Sequence, residues 1–91
     1  MRLLWSDEAL ADLDEVARRA PRQARWVHAA IEALADAPFP GMYRQLEGRP
    51  DEHVLSVPPY AVFYLITGPL AGVQLVVLRI RDSRRRRESW K

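Results

Sequence analysis

The spacing of apolar residues changes once along this chain, and that change limits the folds it can form. Between residues 6 and 37 apolar side chains recur every three or four positions, as in Leu10, Leu13 and Val16, which predicts amphipathic helices. From residue 43 onward, β-branched and aromatic residues are concentrated in short runs, which favours strands. Helices followed by strands are typical of an α+β domain.

Two residues mark where the helices begin. Ser6 is a suitable N-cap because Asp7 and Glu8 follow it, where carboxylates interact favourably with the helix dipole. Pro21 ends the first helix and can itself start the second, since its missing N–H is not needed there. We therefore predict a hairpin of two helices, Ser6–Ala20 and Pro21–Ala37.

The extended segments are separated by proline and glycine residues. Predicted strands are Arg2–Trp5, His53–Val57, Tyr60–Ile66 and Val73–Ile80, with Tyr43–Leu46 as a short extended piece and Gly48–Asp51 as a turn. The expected fold is α+β, in the order β-α-α-β-β-β, with the helical hairpin packed on one face of an antiparallel sheet. Tyr60–Ile66 and Val73–Ile80 are expected at the centre, with Val62, Tyr64, Val76 and Leu78 out of solvent.

Length and composition narrow the function classes. A chain of 91 residues is expected to form one domain, residues 1–91, with a basic C-terminal arm at 82–91. The absence of cysteine removes disulfides, thiolate catalysis and most zinc sites, and we expect neither a metal nor a cofactor. No run approaches the roughly 18 apolar residues of a membrane span, so we expect no membrane partner and a cytoplasmic location.

Positive charge is concentrated at the C-terminal end. Residues 79–91 carry seven basic and two acidic side chains, a net charge of +5, whereas the remainder of the chain has a net charge of −3. A local basic patch on an acidic body indicates an anionic partner. The alternative interpretation is a solvated tail without a binding role.

Three segments resemble the RelE/ParE toxin superfamily of type II toxin–antitoxin systems, and lie closer to its ParE-like branch. These are the opening Trp5–Leu13, the segment Tyr43–Gly48, and the second half of the chain. In the second half the matching residues are His53, Val57 and Tyr60, then Val62–Tyr64, then the basic motif Val77–Arg85. Asp82 departs from the histidine that is frequent at the end of the last strand.

The resemblance implies one of two activities on the same fold. RelE-like members cleave mRNA on the ribosome, and ParE-like members inhibit DNA gyrase without a catalytic centre of their own. Where RelE-like toxins often have arginines that hold phosphate, this chain has Val54, Ser56 and Ala61. We therefore expect a gyrase inhibitor, with the ribosome-dependent endoribonuclease as the alternative and a non-toxic binding module as a third reading.

Candidate functional residues follow from the same resemblance. If the chain is a nuclease, the catalytic set is His53, Arg79, Arg81 and Arg84, with His53 as the acid–base group; the favoured alternative is that His53 is an exposed residue at the start of a strand, without a catalytic role. For target binding by either activity, the candidates are Arg79, Arg81, Arg84, Arg85, Arg86, Arg87 and Trp90. We expect the arm to carry toxicity.

The resemblance also implies partners. They are a cognate antitoxin protein and DNA gyrase, or the ribosome and mRNA in the alternative. The antitoxin is expected to bind the outer side of the helical hairpin or the uncovered sheet face, as a helix or an added strand. A homodimer and a heterotetramer with the antitoxin are both compatible with the sequence.

Overall fold

A computed structural model of the chain describes residues 2–36, 43–46, 49–68 and 74–84. Its elements in chain order are β1 (Arg2–Trp5), α1 (Asp7–Arg19), α2 (Pro21–Asp36), β2 (Tyr43–Leu46), β3 (Arg49–Val57), β4 (Tyr60–Thr67) and β5 (Gln74–Asp82). The α+β class is confirmed. The short extended piece is a strand in its own right, and β3 begins at Arg49 within the predicted turn, because Arg49 pairs with Leu46 of β2.

The two helices begin where the sequence predicts. The Ser6 side chain accepts a hydrogen bond from the Ala9 N–H at 3.0 Å, which makes it the N-cap of α1. Ala20 separates the helices, and Pro21 is the first residue of α2. Neither helix in the described part of the chain has the length and apolarity that a membrane span requires.

Five strands form one sheet in the order β1-β5-β4-β3-β2. Neighbouring strands are antiparallel except at one edge, where β1 lies parallel to β5. The sheet is therefore mixed, and the expectation of an antiparallel sheet needs correction at this pair. A parallel pair requires a long crossover connection, and the whole chain from α1 to β4 supplies it.

The hydrophobic core lies between the helical hairpin and one face of the sheet. Val62 and Tyr64 of β4 are fully buried, as predicted, and Val76 and Leu78 of β5 are half-buried. The helices contribute small and branched side chains that fit closely against the strands. The core members are Ala9, Val16, Ala24, Val27, Ile31, Leu34, Leu55, Val57, Tyr60, Val62, Tyr64, Leu75, Val77 and Ile80.

Candidate functional site

Strand β5 contains a one-residue bulge at Leu78. Phe63 of β4 pairs with Arg79, and the next residue, Tyr64, pairs with Val77. Leu78 therefore has no register partner on β4. An extra residue of this kind reverses the facing of the side chains that follow it.

The bulge decides which side chains of β5 face the helices. Leu75 and Val77 are fully buried in the core, and regular alternation from them would place Arg79 and Arg81 there too. Beyond the bulge it is Ile80 that joins the core, with 4% of its surface exposed. By register, Arg79 and Arg81 thus belong to the opposite face of the sheet, although the Arg79 guanidinium contacts Asp12 of α1.

The first two turns of α1 bind the backbone of β5 around the bulge. The Ser6 N–H donates to the Val77 carbonyl at 3.0 Å, and Ser6 Oγ donates to the Leu78 carbonyl at 2.8 Å. The Ile80 N–H donates to Asp12 Oδ2 at 2.9 Å. Since β1 ends before this point, α1 provides the partners that a neighbouring strand would otherwise provide.

Arg79 is held by the carboxylate of Asp12. Its Nε donates to Oδ2 at 2.9 Å and its Nη2 donates to Oδ1 at 3.1 Å, which is a bidentate pair. The hydrogen bonds to Asp12 raise the pKa of Arg79, outweighing the opposite effect of its partial burial. The charge of Arg79 is therefore largely neutralised within the molecule.

Arg81 lies in a row that crosses three strands. Ser56 of β3 pairs with Ala61 of β4, and Ala61 pairs with Arg81 of β5. Val54 is on the same face, two positions along β3. Within the part of the chain that the structure describes, the buried Nε of Arg81 has no hydrogen-bond partner. On this face, Arg81 is thus a cation that has no acidic partner among the described residues.

Arg84 lies in the turn after β5 and pairs with Asp82. Its Nε and Nη2 donate to the Asp82 carboxylate at 2.9 and 2.6 Å, and its backbone N–H donates at 2.9 Å. These hydrogen bonds raise the pKa of Arg84. The turn is also held by the Ser83 N–H, which donates to the Pro59 carbonyl at 2.7 Å.

His53 lies on the face of the sheet that carries the core. It pairs with Tyr64, and the two rings stack with centroids 5.3 Å apart. Leu55 and Val57, the next residues of β3 on this face, are core members. His53 and Arg81 are therefore on opposite faces, and the structure does not bring the nuclease set together.

A cleft of about 390 Å³ opens between α1 and the end of β5. Its lining contains three acidic and three basic side chains, of which Asp12 and Asp82 already pair with arginines. The lining residues are Ala11, Asp12, Glu15, Val16, Arg18, Arg19, Tyr60, Ile80, Arg81 and Asp82. The sequence analysis did not identify Asp12 as a residue of this site. The signal that could have identified it is its position beside the apolar stripe of α1, where a carboxylate lies close to the core.

Four of the predicted target-binding residues lie outside the described residues. They are Arg85, Arg86, Arg87 and Trp90. Among the residues that are described, no group of three or more His, Asp or Glu side chains is arranged to hold a metal ion.

A second concave surface, an apolar groove of about 510 Å³, lies on the helical hairpin. It is lined by Leu13, Ala17, Pro21, Ala24, Arg25 and His28. The His28 ring stacks on Trp5 with centroids 5.8 Å apart, and its Nδ1 lies 3.0 Å from Glu32 Oε1. We call this surface the hairpin groove.

Comparison with protein families gives one match that covers nearly the whole chain. The family model that matches is that of the ParE toxin of the type II toxin–antitoxin system parDE, and the match covers residues 3–87. No curated protein matches the chain.

Solved structures share the fold at low sequence identity. The chain is similar to the YoeB/ParE toxin from Agrobacterium tumefaciens, with a TM-score of 0.76, 20% identity, and coverage of 90% of this chain and 98% of that chain. It is also similar to the RelBE2 toxin–antitoxin complex from Mycobacterium tuberculosis, with a TM-score of 0.73, 18% identity, and coverage of 89% of this chain and 95% of that chain. A third similar structure is the chromosomal ParDE system from P. aeruginosa, with a TM-score of 0.65, 19% identity, and coverage of 90% of this chain and 95% of that chain.

Proposed function

Since the chain belongs to the ParE family of type II toxin–antitoxin toxins, within the ParE/RelE superfamily, we propose that it acts by binding and inhibiting DNA gyrase. The observation that carries this proposal is the separation of His53 from Arg81 by the thickness of the sheet. The proposed target also implies a cytoplasmic location.

The separation is unfavourable for RNA cleavage. Attack by a 2′-hydroxyl needs a base near that hydroxyl, a cation at the phosphate and a proton donor for the leaving oxygen, all on one side of the substrate. His53 stacks against the core residue Tyr64, whereas Arg81 shares its face with Ser56 and Ala61. Such a surface suits binding to an acidic protein better than acid–base chemistry.

The proposed contact with gyrase is made by Arg81, Arg84 and the basic residues that follow them. Arg81 lacks an acidic partner among the described residues, and 67% of the Arg84 side chain is exposed. Arg79 and Arg84 are both paired with a carboxylate, but Arg79 contributes less because only 37% of its side chain is exposed. Arg85, Arg86, Arg87 and Trp90 extend the same basic segment in the sequence.

Two assays run side by side test this function. We expect the purified protein to inhibit DNA supercoiling by gyrase, and Arg81→Ala to raise the half-inhibitory concentration by about tenfold, the equivalent of about 1.4 kcal/mol. The control His53→Ala should inhibit as the wild type does. If the protein cleaves mRNA on the ribosome and His53→Ala loses this activity, the protein is the endoribonuclease instead. If it is inactive in both assays, it is a non-toxic binding module.

We further propose that a cognate antitoxin binds the hairpin groove through an acidic amphipathic helix. Solved relatives include toxin–antitoxin complexes. The groove floor is formed by Leu13, Ala17 and Ala24, which suit the apolar face of a helix, and the exposed Arg25 lies at its rim. A carboxylate on the partner would complement that charge.

A further inference from the structure

We infer that Asp12 is a positioning residue, which holds the bulge of β5 and so keeps Arg81 on the face that binds the target. The inference rests on the proposed function for its target, but the arrangement it describes is internal to the chain. Asp12 lies on α1, 67 positions from Arg79 in the sequence.

One carboxylate satisfies three donors at the bulge. Asp12 accepts the Ile80 N–H and two N–H groups of the Arg79 guanidinium, on Nε and Nη2, and only 16% of its side chain is exposed. Without Asp12, the Ile80 N–H would lose its acceptor at a point where the pairing of β5 with β1 has already ended. A buried donor without an acceptor destabilises the local conformation that leaves it so.

The facing of Arg81 depends on that local conformation. If β5 continued without the bulge, Arg79 and Arg81 would point toward Val16 and the rest of the core. Burial of two guanidinium groups there is prohibitive, so the end of β5 would separate from α1 instead. In either event Arg81 would no longer be fixed beside Ala61.

Neighbouring carboxylates on α1 do not replace Asp12. Glu15 lies 3.5 Å from Arg18, and Glu8 acts on Arg79 only through its charge. Asp14 also pairs with Arg18, at 3.4 Å, and its side chain is exposed. Asp14 therefore provides a matched control, since it is the same residue type on the same helix without contact to β5.

Amide hydrogen exchange tests whether Asp12 holds the bulge. In Asp12→Ala we expect the Ile80 amide to exchange at least tenfold faster than in the wild type, while the core amides of Val62 and Tyr64 keep their protection. Asp12→Asn, which retains an acceptor oxygen, should restore part of the Ile80 protection, and Asp14→Ala should change none of it. An Ile80 rate unchanged in Asp12→Ala would overturn the inference.

A double-mutant cycle tests whether Asp12 acts through Arg81. Asp12→Ala and Arg81→Ala should each raise the half-inhibitory concentration for gyrase about tenfold, and the double variant should lose no more than the single variants. Independent effects that multiply to about a hundredfold would show that Asp12 does not work through Arg81. If the wild type fails to inhibit gyrase, the proposed function is wrong, and hydrogen exchange alone decides the role of Asp12.

Discussion

Ser6 stabilises two parts of the fold at once. Its Oγ accepts the Ala9 N–H at the start of α1 and donates to the Leu78 carbonyl at the bulge. Ser6→Ala should lower the free energy of unfolding by about 1–2 kcal/mol, because it removes a helix cap and leaves the Leu78 carbonyl without its donor. Urea unfolding measures this loss. Ser6→Thr, which keeps the hydroxyl, is the control, and equal stability of the alanine variant would contradict the dual role.

Arg79 and Arg81 differ in what each binds, although they are two positions apart on β5. Arg79→Gln should destabilise the fold by about 1 kcal/mol, less than the roughly 1.5–3 kcal/mol of hydrogen bonds to charged groups, since 37% of the Arg79 side chain is exposed to screening by solvent. Arg81→Gln should leave stability unchanged and weaken inhibition of gyrase. Thermal unfolding and the supercoiling assay on both variants check this, and the reverse pattern would refute the assignment.

At the scale of the elements, the helical hairpin presents the hairpin groove to the proposed antitoxin. Arg25→Glu should weaken antitoxin binding about tenfold, mainly by slowing association, because it reverses a charge at the rim. Arg22→Glu is the matched control, since Arg22 is exposed on the same helix and is not part of the groove lining. Surface plasmon resonance separates the two rate constants. Equal effects of the two substitutions would show that the antitoxin senses overall charge and not this groove.

At the scale of the whole molecule, charge is divided between an acidic body and a basic C-terminal end. Deletion of Arg84–Lys91 should leave the melting temperature nearly unchanged, because 67% of the Arg84 side chain is exposed and solvent screens its ion pair with Asp82, and should abolish growth inhibition in cells that lack the antitoxin. Replacement of Arg84–Arg87 by lysines should preserve most of the inhibition, and replacement by glutamines should not. A truncated chain that folds, accumulates and still inhibits growth would place the target surface elsewhere.

Local chemistry in the sequence was sufficient to predict most elements of secondary structure. Ser6 and Pro21 mark the starts of the helices through capping and ring geometry, which depend on neighbours within one turn. Tyr60–Ile66 predicts a buried strand because its side chains have few other favourable environments. The start of β3 at Arg49 was missed, since it depends on pairing with β2 and not on local propensity.

The arrangement of the candidate site was decided by tertiary structure. The sequence supplied the basic residues of β5, but only the bulge at Leu78 determines that Arg81 faces away from the core and from His53. Only the approach of α1 to β5 joins Asp12 to Arg79 and brings their charges into one ion pair. Contacts between residues so far apart in the chain leave no periodic pattern in the sequence, because each depends on the packing of whole elements and not on the propensities of neighbouring residues.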